Sequence, residues 1–154
     1  MIRRINSKDE SNFIGACKEI KDPHEENFIT ENNKRLFLSD SKVAGRVFKD
    51  CIKKGDIAFI YDAGDIQGIG IIIGFHDKGN RKYIKILSNS IKISSGILKA
   101  MLWEVGNIDL WAKVKKVNPL KEILQNNGFF FLGDRGKEVL LLRKGKNILK
   151  EKIR

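Results

Sequence analysis

Two cysteines, two histidines, two prolines, two tyrosines and two tryptophans are all this 154-residue chain holds of those types. Cys17 and Cys51 sit in apolar, helix-spaced surroundings, where a buried thiol is expected rather than a disulfide. His24 and His76 are far from both cysteines and from each other, so no metal-ligand spacing exists and no metal is expected. No run approaches the roughly 20 apolar residues of a membrane span. The opening Met1-Ile2-Arg3-Arg4-Ile5-Asn6 leads into no signal-length apolar stretch. The expectation is an intracellular, cytoplasmic protein with no membrane partner.

Hydrophobic residues make up 42% and charged residues 32%, a globular composition long enough to bury one core. The net charge of +11 is uneven. Residues 111–154 hold 12 Lys/Arg against 4 Asp/Glu, whereas residues 1–110 hold 18 against 15. A basic C-terminal third attracts anions: nucleic acid, a nucleotide cofactor or an acidic protein. A Lys-rich solvated surface is the plainer reading. No linker or repeat divides the chain, so residues 1–144 are expected to form one domain and 145–154 a basic tail.

Met1–Ile5 reads as a strand. Ser7 and Glu10 have capping-box spacing before Phe13, Ile14, Cys17 and Ile20 at helical intervals. Lys21–Leu38 is polar and irregular. Ser39-Asp40-Ser41 cap a second helix lined by Val43, Ala44, Val47, Phe48, Cys51 and Ile52, with Gly55 as its stop. Strands at Ile57–Tyr61, Ile66–His76 and Arg81–Ser88, turning at Asp62–Asp65 and Asp77–Asn80, make an antiparallel meander. A short helix from about Ser95 to Val105, a strand over Ile108–Val117, a helix over Asn118–Gly128 and a last hairpin through Phe129–Arg143 complete the order. The fold class is α+β: a mixed, mostly antiparallel central sheet flanked by helices.

Gly68, Gly70 and Gly74 have the look of a phosphate loop but lie inside a strand, where glycine marks a bulge or a close backbone approach. Asn118 to Phe129 is more specific. Asn118 caps, Pro119 suits the first helical turn, Gly128 is a left-handed stop, and apolar Phe129 follows.

An Asn ten residues before a Gly-Phe pair, in this element order, resembles the closing segment of the GNAT N-acetyltransferases. The resemblance covers roughly residues 1–143. It implies acyl-CoA as co-substrate, acetyl-CoA first among them, and an amine-bearing acceptor, small molecule or macromolecule. In that family, amides at a helix N-terminus hold the pyrophosphate. The matching stretch here is Ser88 to Leu98, with Gly96 set on the first glycine of the family's loop. The implied cofactor residues are Leu87, Ser88, Lys92, Ser94, Ser95, Gly96, Ile97 and Asn118. Ile93 stands where the family has Arg or Gln, and Leu98 where it has a second small residue. Leu124 occupies the place of the family's Tyr acid. Asp62, Glu104, Asp109 and His76 are candidate bases, none distinguished by the sequence, so the catalytic residues stay unassigned.

The alternative is an inactive module on the same scaffold that binds nucleic acid or a protein partner through its basic C-terminal face. Trp111, Lys113 and Lys115 share one face of an alternating strand, with Lys116 beside them. An indole between lysines could stack a base next to phosphate contacts. It could equally be a Trp covered by lysine stems.

Overall fold

The computed structural model describes residues 1–54, 56–74 and 81–145. The expected stop at Gly55, the turn over 77–80, the candidate base His76 and the tail beyond Gly145 lie outside the described residues. The strands are β1 (Ile2–Arg4), β2 (Phe28–Glu31), β3 (Lys34–Phe37), β4 (Ile57–Asp62), β5 (Ile66–Gly74), β6 (Lys82–Ser88), β7 (Leu110–Lys115), β8 (Phe130–Arg135) and β9 (Glu138–Arg143). The helices are α1 (Glu10–Glu19), α2 (Ser41–Lys54), α3 (Ile91–Val105) and α4 (Leu120–Asn126). Seven strands form one mixed sheet in the order β1-β4-β5-β6-β7-β9-β8, and β2 and β3 pair separately as a hairpin. Among the described residues, no helix is long and apolar enough to cross a membrane.

The period-two pattern of the strands separates two cores. Ala58, Ile60, Ile69, Ile71, Ile73 and Leu87 pack beneath α1 and α2, against Phe13, Cys17, Phe48 and Cys51. Burial pushes both thiols up to about 12, and both are free. Phe59, Ile72, Ile84, Ile86, Leu110, Ala112 and Val114 pack on the opposite face, beneath α3 and α4.

Gly68 and Gly70 of β5 belong to this second face, and they are there for proximity. A Cβ on Gly70 would stand 2.4 Å from Ile97 Cγ2 and 2.8 Å from the Met101 sulfur. One on Gly68 would stand 2.6 Å from Ile93 Cγ2. Helix α3 therefore lies directly on the β5 backbone.

Three sequence expectations need correction. The capping box opening the first helical segment is Asn6 with Asp9, not Ser7 with Glu10: Asn6 Oδ1 accepts from Lys8 N at 2.9 Å and Asp9 Oδ2 from Asn6 N at 2.8 Å. Arg3 claims the same Asp9 carboxylate, donating to both oxygens at 2.9 and 2.8 Å, and holds it below the usual carboxylate range. The polar stretch 21–38 contains the β2–β3 hairpin, turned by Asn32 and Asn33, both at positive φ (50° and 63°). Helix α3 begins at Ile91, four residues before the expected start, because Ser90 is its cap and accepts from Ile93 N at 3.4 Å.

Candidate functional site: a cleft between diverging strands

Strands β6 and β7 are the parallel neighbours in the sheet, and one register pair joins them, Tyr83 with Trp111. Beyond it they diverge, β6 running to Ser88 and β7 to Lys115. Each keeps its antiparallel partner on the outer side, β5 and β9. The inner backbone edges of the gap thus have no strand to pair with, a ready place for an extended ligand to hydrogen-bond.

The helices α3 and α4 begin at the open end of this gap. The amides of Ile91 and Lys92 have no acceptor within the helix, and they sit at the positive end of a 15-residue helix dipole. Asn118 forms the other rim. Its Oδ1 accepts from Leu120 N at 3.0 Å, capping α4 as the sequence implied. At the far end Gly128 takes φ 93° and Phe129 N donates to Leu124 O at 3.1 Å, with Phe129 buried.

Three cavities line up along the gap. The outermost, about 110 Å³, is walled by Asp22, Glu26, Leu87, Ser88, Ser90 and Asn118 among others. A constriction of about 10 Å³ follows, lined by Glu26, Lys85, Lys113, Leu120 and Leu124. The third, about 50 Å³, lies under β2 and is lined by Phe28, Thr30, Tyr83, Lys85, Lys113 and Glu138. Glu26 is shared by the first two, and Lys85 and Lys113 by the last two.

Glu26 is the residue that sequence reasoning missed. It is 4% exposed. Its carboxylate accepts from Lys115 N at 2.6 Å and from the Asn118 side-chain amide. These are the donors that β7 and its following turn offer to the gap. Burial pushes the Glu26 carboxyl above the ordinary glutamate value, against the opposing pull of Lys85 and the two hydrogen bonds. The Lys85 ammonium lies 4.4 Å from the Phe28 ring centroid. Burial lowers its pKa, while Glu26 and Glu138 act in the opposite sense. No local motif marks Glu26, because its partners are 89 and 92 residues away in sequence.

Of the residues implied for a cofactor, Leu87, Ser88, Ser94 and Asn118 line the outer cavity, and Lys92, Ser95, Gly96 and Ile97 do not. Lys92 is exposed on the first turn of α3. Ser94, Ser95 and Gly96 lie past that turn, and Ser94 N already donates to Ser90 O at 3.0 Å. Their amides are therefore not the free ones; the free amides at this helix start are those of Ile91 and Lys92. Gly96 faces β1: a Cβ there would stand 2.8 Å from Ile2 Cδ1. Ile97 is fully buried beneath the same helix.

The three candidate bases among the described residues sit elsewhere. Asp62 is bound to Arg3, Glu104 to Arg4, and Asp109 to Lys144 and the Gly145 amide. Leu124 is buried at the constriction. Nor do Trp111, Lys113, Lys115 and Lys116 make one open basic face. Arg81 covers the Trp111 ring at 4.0 Å, Lys115 lies 3.8 Å from Glu25, Lys116 lies 2.6 Å from Asp134, and Lys113 turns into the cavity under β2. Among the described residues no group of His, Cys, Asp and Glu could hold a metal ion.

No family model and no curated protein matches the sequence. Solved structures do match the fold. A ribosomal-protein-alanine N-acetyltransferase from Brucella melitensis superposes with a TM-score of 0.68 at 13% identity, over 94% of this chain and 99% of that one. An acetyltransferase of the GNAT family from Streptococcus pneumoniae gives 0.65 at 16%, over 95% and 99%. An N-acetyltransferase from Thermoplasma acidophilum, in complex with coenzyme A, gives 0.64 at 12%, over 94% and 98%. At such identities the likeness is one of architecture, and it extends over nearly the whole chain: this protein has the fold of the GNAT N-acetyltransferases.

Proposed function

We propose that this protein is an acyl-CoA-dependent N-acyltransferase, acetyl-CoA being the first donor to test. The observation that carries this reading is the gap between β6 and β7, open at the amide-bearing start of α3 and continuous in its lining residues with a second cavity on the other side. Two substrates could approach from opposite sides and meet at Glu26.

The residues present fit the donor. Asp22 Oδ2 is buried on the wall of the outer cavity with no hydrogen-bond partner among the described residues. The amide N–H groups of a pantetheine arm would supply what it lacks. The inner edge of β6 as far as Leu87 and Ser88 offers backbone groups to the same arm. The Ile91 and Lys92 amides, with the Lys92 ammonium nearby, suit a pyrophosphate. When bound, the thioester supplies an activated acyl carbon: the C–N bond to the amine forms and the C–S bond breaks, releasing a thiolate that takes its proton from water.

The chain's own contribution is positional and basic. Asn118 and Lys115 N fix the Glu26 carboxylate in the gap. Burial raises its affinity for a proton, which suits it to take one from the acceptor nitrogen. With Leu124 where the family carries a Tyr acid, that position offers no proton to the departing thiolate. A thiolate is a tolerable leaving group, and holding two reactants in place supplies much of the rate.

Calorimetric titration with acetyl-CoA tests this reading, with CoA and ATP as controls. Micromolar affinity selective for the two CoA compounds is the expected result. No binding, or equal binding of ATP, would overturn it.

A further inference from the structure

One side chain on the gap has no part in the acyl transfer described so far, and it ends in an amine. Lys85 stands on β6, half-buried, and lines both the constriction and the cavity under β2. It shares a face of the strand with Leu87, which lines the outer cavity. Two residues along a strand span roughly 7 Å. The four-carbon stem of a lysine covers that distance. A thioester arm that enters over Ser88 and follows β6 inward past Leu87 brings its acyl carbon toward the Lys85 amine.

The surroundings favour the uncharged form of that amine. Among the described residues Lys85 Nζ makes no hydrogen bond and no ion pair, and it lies 4.4 Å from the Phe28 ring centroid. An ammonium in that place leaves its three donors without acceptors. Burial lowers the Lys85 pKa; Glu26, Glu138 and Asp22 pull the other way, and Arg35 adds to the effect of burial. Removing a lysine from water is one way its nitrogen becomes a nucleophile, whereas exposed lysines stay protonated. The product also has room: the cavity of about 50 Å³ under β2 can take an acetyl group.

We propose that Lys85 is itself an acyl acceptor: with acetyl-CoA in the gap and no amine under β2, its Nζ takes the acetyl group. The inference rests on the acyltransferase reading and adds a modification site to it. The Nζ lone pair attacks the thioester carbon, the C–N bond forms and the C–S bond breaks. The proton leaving nitrogen passes to Glu26, which borders the same constriction, and the thiolate takes one from water. The product is an amide, which a second amine does not reopen, so the acetyl group stays on Lys85. There it removes the charge and occupies space that a free acceptor would use.

The test is incubation with acetyl-CoA carrying an isotope-labelled acetyl group, without added amine, followed by peptide mapping with labelled and unlabelled acetyl counted together. Lys85 should be the principal site, modified about tenfold or more faster than any exposed lysine, at a rate that saturates with acetyl-CoA. Acetyl phosphate, which has no arm to follow β6, should show no such preference. Lys85→Arg, folded by its melting curve and binding acetyl-CoA by calorimetry, should lose the principal site with no other lysine taking its place. Lys85→Met serves as a second variant where the arginine does not fit. Label spread evenly over exposed lysines, the same preference from acetyl phosphate, a Lys85 rate that rises without saturation, or no acetyl on Lys85 in protein that binds acetyl-CoA would each overturn the proposal. Failure to bind acetyl-CoA is a separate result: it removes the acyltransferase reading, and this inference with it.

Discussion

Glu26→Gln is expected to lower kcat/KM for acyl transfer about 100-fold or more, the effect of losing a positioned general base. The glutamine keeps the shape of the side chain and one oxygen for Lys115 N, so the gap stays filled. Affinity for acetyl-CoA should change little, because the contacts proposed for the arm and pyrophosphate lie on Asp22, β6 and α3 and not on Glu26. The pH profile separates this role from a structural one. Glu26 accepts a proton only when ionised, and burial raises its pKa above the ordinary 4.5. Wild-type kcat/KM should therefore fall as pH drops through that raised value. The variant should lose this limb and run flat through the same range. Equal activity of the two proteins, or an unchanged acid limb, would remove Glu26 from the chemistry.

Gly70→Val is expected to cost about 3 kcal/mol or more of folding stability, at the upper end of overpacking in a core. The first added carbon already stands 2.4 Å from Ile97 Cγ2, and Ile97 is fully buried, so neither side can move away cheaply. For a chain of this length the loss corresponds to a melting temperature lower by roughly 6–12 °C. The cause is separable from a general intolerance of side chains in β5. Gly70→Ala combined with Ile97→Ala should be less destabilised than the sum of the two single changes, by about 1 kcal/mol or more, because the alanine methyl fills part of the space Ile97 vacates. Strict additivity in urea unfolding would show that the close approach of α3 to β5 is not what the glycine serves. The same contact sets where the start of α3 stands over the gap. A partly rescued double variant should for that reason also recover acetyl-CoA affinity.

Much of the frame was legible because it is written locally. Asn118, Pro119, Gly128 and Phe129 each do in the fold what their chemistry implies, and the alternation of β7 buries Leu110, Ala112 and Val114 while leaving Trp111, Lys113 and Lys115 half-buried. Of the two roles the sequence offers for the β5 glycines, a bulge or a close approach, Gly68 and Gly70 serve the second, and Gly74 does not. The start of α3 was misplaced because Ser90, Ser94 and Ser95 are all plausible caps, and β-branched Ile91 and Ile93 argue against a helix locally. Packing decides it, with Ile93 and Ile97 closing on Gly68 and Gly70. The β2–β3 hairpin had a signal in Asn32-Asn33, a pair suited to two consecutive positive-φ positions, flanked by Phe28-Ile29 and Leu36-Phe37. Glu26 had none. Its neighbours in sequence are polar and half-exposed or exposed, and its burial comes from β7 and Asn118 arriving from the other end of the chain.

Amide hydrogen exchange with and without coenzyme A tests most directly whether the gap between β6 and β7 is a cofactor cleft. The account predicts protection at the Ile91 and Lys92 amides and along β6 up to Ser88, with β8 and β9 unchanged. Coenzyme A bound with no added protection at the start of α3, or with protection centred on another part of the surface, would contradict it.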